Sequence, residues 1–324
     1  MGKVLLEVKD LRKYFHTGRG VLHAVDDVSF TIEEGKTLGI VGESGCGKST
    51  TGRALLRLIE PTAGKVIFDG VDVTKASKAE MKELRKSMQI IFQDPFSSVN
   101  PRQTVQQTIE EALVMSGKYK NRDKRFQRIL EIMDTIGIEE RLINAYPHEM
   151  DGGHRQRVCI ARALAMDPKF IVCDEPVSAL DVSIQAQILN LLKKIQKEFN
   201  LTYVFITHDL SVVKHISHDI AVMYLGRMIE KAPAEELFAN PIHPYTQALL
   251  SAIPVPRLHN RPERIVLKGE ITSPINPEQR CRFANRCAFA TESCYKAEPT
   301  LQEVSPGHFV ACGKCNGNTP VTEK

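Results

Sequence analysis

The chain has 324 residues, 42% of them hydrophobic and 25% charged, with a formal net charge of +4 at pH 7. This is the composition of an ordinary globular protein, with one large domain or a domain and an appendage. The mild charge argues against a dedicated nucleic-acid binder, in which basic residues cluster. No apolar run approaches the ~20 residues that span a bilayer, and residues 1–13 lack the apolar segment of a signal peptide. We therefore expect a cytoplasmic protein.

The start of the chain predicts β-structure that leads into a glycine-rich turn. Strand-like residues fill 5–8, 25–32 and 36–41. The sequence Gly-Glu-Ser-Gly-Cys-Gly-Lys-Ser-Thr follows at 42–50, and residues 49–60 then have helical spacing. A buried strand, a glycine-rich turn and a helix in this order are the context that a phosphate loop requires.

Every residue of this turn is a candidate for holding a nucleotide. Backbone N–H groups of such a loop surround the phosphates, helped by the N-terminus of the following helix. Lys48 is expected to contact the β- and γ-phosphates, and the Ser49 hydroxyl to bind Mg²⁺. The candidate residues are Gly42, Glu43, Ser44, Gly45, Cys46, Gly47, Lys48, Ser49 and Thr50. The alternative is a glycine-rich turn that arose by chance.

The middle of the chain alternates predicted helices with short apolar strands. Residues from about 104 to 165 are predicted to be mainly helical. Apolar runs at 169–173 and 202–207 suit buried parallel strands. An apolar stripe over 184–199 predicts a helix between these two strands. Strands and helices in alternation imply an α/β fold with a parallel sheet.

Two adjacent carboxylates, Asp174 and Glu175, end the first of these apolar strands. Acids beside an apolar strand are costly to bury without partners, and a metal ion would explain them. Asp174 is the expected second anchor for Mg²⁺. Glu175 is then placed to polarise an attacking water molecule as a general base. The alternative is a solvated strand end without chemical function.

Four further segments, in the expected order, resemble the ATP-binding subunits of ABC transporters, and one of them, residues 151–157, lies where the family signature stands. Residues 91–95 resemble the Q-loop, in which the glutamine, here Gln93, touches Mg²⁺ or water. Residues 178–181 resemble the D-loop, which crosses a dimer interface. Residues 206–209 resemble the switch region, whose histidine, here His208, would bond the γ-phosphate and orient the water.

The resemblance also implies a contact with the adenine base. Tyr14 lies where the family stacks an aromatic ring on adenine, and Phe15 is the alternative. Such stacking contributes roughly 1–3 kcal/mol per base. The resemblance thus implies three catalytic residues, Glu175, His208 and Gln93. It implies Mg²⁺ ligands at Ser49, Gln93 and Asp174.

The resemblance spans residues 4–315 and narrows to the oligopeptide/dipeptide importer branch. The segments that carry it are 146–149, 220–227, 243–250 and the cysteine-bearing end of the chain. It implies an ABC-type P-loop NTPase core with an antiparallel β subdomain, a helical subdomain at about 104–165 and a C-terminal cysteine-rich appendage. We place the ATP-binding domain at 1–239, the appendage at 240–315 and a tail at 316–324.

The function that this resemblance implies is ATP hydrolysis that energises a membrane importer of di- or oligopeptides. The implied partners are a second ABC ATPase subunit, two membrane permease subunits and, indirectly, an external substrate-binding protein. No nucleic-acid partner is expected. The subunit would be peripheral, at the cytoplasmic face of the cell membrane. The alternatives are the ATPase subunit of a nickel or other solute importer of the same branch, a soluble ABC ATPase and a non-catalytic nucleotide binder.

The signature of the family departs from its usual form. It usually reads Ser-Gly-Gly-Gln, whereas this chain has Asp151-Gly152-Gly153-His154. In ABC dimers the signature of one subunit closes over ATP held by the other, and its serine donates a hydrogen bond to the γ-phosphate. An ionised Asp151 cannot donate, and its charge would cost ~4 kcal/mol at about 4 Å and an effective dielectric near 20. A protonated His154 would offset part of this repulsion.

This departure predicts an asymmetric heterodimer. One site would be competent under the partner's signature, and the other, closed by Asp151, would bind ATP but hydrolyse it poorly. The alternative is that the loop relocates and Asp151 faces solvent.

Five of the eight cysteines lie near the C-terminus. In a reducing compartment such a cluster indicates metal binding before disulfides. Zinc sites usually show short C-x₂₋₄-C pairs, a form that only Cys312 and Cys315 have. The wider spacing, and the resemblance to the tail of peptide importers, favour a [4Fe–4S] cluster. The expected ligands are Cys281, Cys287, Cys294 and Cys312, with Zn²⁺ or free thiols as alternatives and Cys315 as the spare residue.

Overall fold

The computed structural model describes residues 2–253, 264–267, 269 and 272–314. The chain divides into two compact units, and each unit combines segments that are distant in the sequence. Unit 1 comprises Met1–Leu6, Ile32–Lys36 and Phe68–Ile206, and unit 2 comprises Glu7–Thr31, Thr37–Ile67 and Thr207–Lys324. The phosphate loop and the C-terminal residues thus belong to the same unit.

Strands and helices alternate along the chain. The strands are β1 (Val4–Thr17), β2 (Gly20–Glu33), β3 (Thr37–Val41), β4 (Ala63–Phe68), β5 (Val71–Asp72), β6 (Met88–Ile91), β7 (Phe170–Asp174), β8 (Thr202–Ile206), β9 (Asp219–Tyr224), β10 (Arg227–Pro233), β11 (Gln302–Ser305) and β12 (His308–Val310). The helices are α1 (Lys48–Leu55), α2 (Lys78–Ser87), α3 (Pro95–Ser98), α4 (Val105–Ser116), α5 (Arg122–Ile136), α6 (Gly152–Leu164), α7 (Val182–Phe199), α8 (Leu210–Ile216), α9 (Ala234–Ala239) and α10 (Pro244–Ser251). Short 3₁₀ turns lie at Glu140–Leu142, Pro147–Glu149, Ala284–Arg286 and Glu292–Tyr295.

Unit 1 is built on the parallel strands β6, β7 and β8. β7 pairs with both of the others, and Asp174 lies opposite Ile206. Every residue of β7 and β8 is buried, as expected for strands that are covered on both faces. Parallel pairing brings the carboxyl ends of these strands to one edge of the sheet, and Asp174 lies at that edge.

The helices of unit 1 have clear start and stop signals. α4, α5 and α6 pack against one another, and the buried side of α5 includes Ile129, Ile132, Met133 and Ile136. α5 ends at Gly137 in the left-handed conformation, which glycine adopts without steric penalty. These helices lie in the segment 104–165, where the sequence predicts helical structure.

Unit 2 contains a mixed sheet. β3 is parallel to β9, while β9, β10, β12 and β11 follow one another in antiparallel pairs. β2, β1 and β4 are neighbours in a separate sheet. The start of the chain is therefore rich in β-structure, as predicted.

The core of unit 2 takes residues from the C-terminal part of the chain. Val41 of β3 and Tyr224 of β9 are buried together with Tyr245 of α10 and with Phe283. The ring of Tyr224 lies 4.8 Å from that of Tyr245 and 5.3 Å from that of Phe283, between centroids. Such pairs add about 0.5–1.5 kcal/mol beyond the burial of area. Residues beyond 240 thus complete a core that begins at Val41, directly before the phosphate loop.

Every helix within the described residues is too short or too polar to cross a membrane.

Candidate nucleotide site

The glycine-rich loop connects β3 directly to α1. Gly42 and Gly47 have φ values of 153° and 105°, in the region that favours glycine. A Cβ atom at Gly42 would lie 2.2 Å from the carbonyl oxygen of Met223, and one at Gly47 would lie 2.0 Å from that of Ala24. Both positions therefore require glycine, and the turn makes Lys48 the first residue of α1.

Lys48 is enclosed by this loop, with 5% of its surface exposed. Its Nζ donates to the carbonyl oxygens of Gly42 at 2.8 Å and Glu43 at 3.0 Å. A buried ammonium needs such acceptors, because it has lost its hydration. Ser49 and Thr50 follow in the first turn of α1, and the N-terminus of a helix favours anions. The arrangement is the one that a phosphate loop requires.

The tip of the loop is formed by Ser44 and Gly45, which are both exposed. Cys46 closes the turn, because its N–H donates to the carbonyl oxygen of Glu43 at 3.3 Å. Burial raises the pKa of the Cys46 thiol, so this residue packs the loop as a neutral group.

Glu175 and Gln93 are in direct contact within unit 1. Glu175 follows the buried Asp174 with a φ of 49°, and a residue other than glycine is held in this region only by its surroundings. Its N–H donates to the carbonyl oxygen of Ile206 at 2.9 Å, and Gln93 Nε2 donates to Glu175 Oε2 at 3.0 Å. The structure thus brings two of the three predicted catalytic residues together.

The predicted signature forms the start of α6. Asp151 caps this helix, since its Oδ1 accepts from the His154 N–H at 2.8 Å, and His154 Nδ1 lies 2.8 Å from Asp151 Oδ2. The bond from the His154 N–H is the main cause that lowers the pKa of Asp151. Asp151 is therefore ionised at neutral pH and accepts hydrogen bonds without donating any.

The two signature glycines pack against the start of α7 and the residues directly before it. A Cβ atom at Gly153 would lie 2.8 Å from Ile184 Cγ2, and one at Gly152 would lie 3.1 Å from Leu180 Cδ2. Asp181 caps α7 by accepting from the Ile184 N–H at 3.1 Å. The predicted signature and the predicted D-loop, residues 178–181, are therefore packed together within unit 1.

His208 lies in unit 2 between two fixed backbone positions. The N–H of Thr207 donates to the carbonyl oxygen of Ile40 in β3 at 3.2 Å. Asp209 caps α8 by accepting from the Ser211 N–H at 2.7 Å. The exposed His208 thus follows a residue tied to the strand that leads into the phosphate loop.

Tyr14 is held at its hydroxyl and on one face of its ring. The hydroxyl donates to Asp26 Oδ1 at 2.5 Å, and the ring stacks on His23 at 3.9 Å between centroids. Burial, followed by the bond to Asp26, raises the pKa of Tyr14 to about 12. The neighbouring Phe15 is exposed. The contact of Tyr14 with adenine stays a prediction, and Phe15 remains the alternative.

Two contacts of the phosphate loop were missed in the sequence. The Tyr245 hydroxyl accepts from the Glu43 N–H at 2.9 Å, and the Arg286 guanidinium donates to both Glu43 carboxylate oxygens, at 2.7 and 3.1 Å. These partners are 202 and 243 residues away from Glu43, so no local sequence pattern indicates the two contacts.

The predicted iron–sulfur cluster on Cys281, Cys287, Cys294 and Cys312 is wrong. Across the part of the chain that the structure describes, no group of three or more His, Cys, Asp or Glu residues is arranged to hold a metal ion, which also rules against the Zn²⁺ alternative there. Cys315 and the tail 316–324 lie outside the described residues.

Two known protein families match different parts of the chain. The ABC transporter family matches residues 25–178, and the family described as the C-terminal region of oligopeptide/dipeptide transporters matches residues 229–294. The oligopeptide transport ATP-binding protein AppF of Bacillus subtilis is 49% identical over 320 residues, with 96% of this chain and 97% of that protein covered. A putative peptide import ATP-binding protein of Brucella ovis is 50% identical, with 96% and 98% covered.

Solved structures match the fold. The dimeric cassette MJ0796 in a post-hydrolysis state with ADP and Pi has a TM-score of 0.65 and 31% identity, with 71% of this chain and 99% of that chain covered. CbiO1 of Clostridium perfringens, part of an ABC transporter complex, has a TM-score of 0.66 and 30% identity, with 73% and 91% covered.

The fold and the phosphate loop define a mixed α/β P-loop ATPase of the ABC type. The chain belongs to the ABC transporter ATP-binding subunits of the oligopeptide/dipeptide importer family. It is therefore an ATP hydrolase that is coupled to transport.

Proposed function

We propose that this chain hydrolyses ATP to power the uptake of di- or oligopeptides through a pair of membrane permease subunits. The contact between Gln93 Nε2 and Glu175 Oε2, at 3.0 Å, carries the catalytic part of the proposal. Peptide as the transported solute is supported by the names of relatives about 50% identical to this chain and by the match at residues 229–294. No observation favours nickel or a soluble role.

Each predicted residue has one task in the reaction. Glu175 takes a proton from the attacking water, whose oxygen bonds to the γ-phosphorus while the bond to the β–γ bridging oxygen breaks. Gln93 holds the Glu175 carboxylate, and His208 bonds the γ-phosphate. Lys48 neutralises charge on the β- and γ-phosphates.

Mg²⁺ suits the oxygen donors that the sequence places for it. The hydroxyl of Ser49, the carboxylate of Asp174 and the amide oxygen of Gln93 are hard ligands, which Mg²⁺ prefers. Bound there, the ion would offset the charge that develops on the phosphates.

The signature supports an asymmetric pairing with a second ABC ATPase subunit. Asp151 is ionised and caps α6, so it has no proton to donate to a γ-phosphate held by a partner. The competent site of the pair then consists of this chain's Lys48, Glu175 and His208 under the partner's signature. The second site, closed by Asp151 and His154, retains ATP.

The ATPase rate of this chain, alone and mixed with a candidate partner subunit, tests this pairing. A lost charge-assisted hydrogen bond contributes about 1.5–3 kcal/mol, so mixing should raise the rate at least about tenfold. The double variant Asp151→Ser, His154→Gln should raise the rate of the chain alone. Asn121→Ser, which exchanges the cap of α5, is the matched control. Full activity of the unsubstituted chain alone would refute the asymmetric pairing.

Residues 240–315 form the appendage that accompanies peptide importers, with a structural role. The subunit lies at the cytoplasmic face of the cell membrane as a peripheral component. An external substrate-binding protein delivers the peptide to the permeases, so specificity resides outside this chain.

A further inference from the structure

Two side chains from the C-terminal part of the chain hold Glu43, the second residue of the phosphate loop. Arg286 donates to both oxygens of the Glu43 carboxylate, at 2.7 and 3.1 Å, and the side chains are only 9% and 22% exposed. Paired N–H···O bonds of this kind fix orientation as well as charge. The Tyr245 hydroxyl accepts from the Glu43 N–H at 2.9 Å.

Glu43 also contacts Lys48, because the Glu43 carbonyl oxygen accepts a hydrogen bond from Lys48 Nζ at 3.0 Å. The N–H, the carboxylate and the carbonyl of this one residue are therefore all engaged. A shift of the Glu43 backbone would withdraw one of the two carbonyl acceptors that orient Lys48. The contacts of Arg286 and Tyr245 thus act on the phosphate-binding lysine through a single intervening residue.

Both partners of Glu43 are themselves fixed by packing. Arg286 ends the 3₁₀ turn Ala284–Arg286 and its guanidinium lies 5.9 Å from the centre of the Tyr224 ring. The ring of Tyr245 is buried 5.5 Å from that of Phe283. Supports with locked side chains are what a preorganised binding loop needs.

We propose that Arg286 and Tyr245 are positioning residues that hold the phosphate loop in its ATP-binding conformation. This inference rests on the proposed role of the loop in binding ATP. If the loop is ordered in only a fraction of the molecules, the apparent affinity for ATP is the intrinsic affinity multiplied by that fraction. Saturating ATP orders the loop by itself, so the two residues act on KM and leave kcat nearly unchanged.

The test compares variants of the full chain. The affinity for ATP is measured by displacement of a fluorescent ATP analogue, and KM and kcat are measured with the permeases and the partner subunit. Arg286→Ala should weaken ATP binding and raise KM about tenfold, since it removes both charge-assisted bonds, with kcat within about twofold. Arg286→Lys should recover part of the affinity, because it keeps the charge but loses the paired geometry.

Tyr245→Phe isolates the hydroxyl contact, because it keeps the buried ring. It should weaken ATP binding by a smaller factor at an unchanged melting temperature. The control is Arg280→Ala in the same segment, where the described partners of Arg280 are Glu278, Asn285 and Tyr295. This control should retain the ATP affinity of the unsubstituted chain.

A double-mutant cycle of Glu43→Gln and Arg286→Ala decides whether Arg286 acts through Glu43. If it does, the double variant loses no more affinity than either single variant. Unchanged ATP affinity in Arg286→Ala, or a lower kcat at unchanged KM, would overturn the inference. An unsubstituted chain that fails to bind ATP would overturn both the inference and the proposed function.

Discussion

The backbone conformation of Glu175 places its carboxylate against another predicted catalytic residue, Gln93. Its φ of 49° turns the chain directly after the buried strand β7, and the backbone N–H is still bonded to Ile206. The left-handed conformation is unfavourable for glutamate, so the surroundings stabilise it. The result is a half-buried carboxylate that contacts the Gln93 amide, at the strand end where the sequence predicts the general base.

Glu175→Gln should abolish hydrolysis without abolishing ATP binding. An amide cannot take a proton from water, and general-base catalysis contributes roughly 100- to 10,000-fold, so kcat should fall at least about 100-fold. The ATP affinity, measured by displacement of a fluorescent analogue, should change little, because the shape of the side chain is kept. Glu198→Gln on the exposed end of α7 is the control. A variant that retained about a tenth of the activity would point to another base.

At the scale of the element, Gly153 determines how closely α6 packs against α7. The helical Gly153 is not required by its backbone angle, since its φ is not positive. It is required by space, because a Cβ atom would approach Ile184 Cγ2 to 2.8 Å. A glycine in the signature therefore has a packing reason that is independent of any contact with a nucleotide.

Gly153→Ala should destabilise unit 1 through overpacking. Forcing an extra methyl into a packed contact costs about 1–3 kcal/mol, partly offset by the better helix propensity of alanine, about 1 kcal/mol. Ile184→Ala removes the opposing methyl group. The double variant should therefore melt at a higher temperature than the sum of the two single effects predicts. Strictly additive melting temperatures would show that the two helices adjust without this contact.

The local elements of the site could be predicted from the sequence, because each depends on neighbouring residues. The loop at 42–50 and the two acids at the end of β7 are recognisable from the apolar strand residues before them and from their own residue types. The bonds of Tyr245 and Arg286 to Glu43 could not be predicted, since they join residues more than 200 positions apart. The cluster prediction was wrong for a related reason. The spacing of cysteines suggests a ligand type, but it does not decide whether the side chains of the described residues are arranged to hold a metal ion.

At the scale of the whole molecule, the C-terminal residues belong to the same compact unit as the phosphate loop. Arg282, with 7% of its side chain exposed, binds Asp26 and Glu298. Burial by itself would raise the pKa of Asp26, but the bonds from Tyr14 and His23 and the charge of Arg282 lower it to about 2. Residues beyond 240 therefore stabilise a buried charge beside Tyr14 and complete the apolar core around Tyr224.

A chain that ends at Asn240 should consequently be unstable, although the sequence suggests a domain boundary there. Such a chain lacks Tyr245 and Phe283, two fully buried aromatic side chains that each contribute about 1.5–3 kcal/mol by burial. It also lacks Arg282, which binds Asp26. Since domains are stable by only about 5–15 kcal/mol, the melting temperature should fall far more than in any single variant, and ATP binding should be lost with it.

The matched control is a chain that ends at Lys314, which keeps every described contact of residues 241–314. A chain ending at Asn240 that melted like this control and bound ATP equally well would mean that the phosphate loop is stable without residues 241–314.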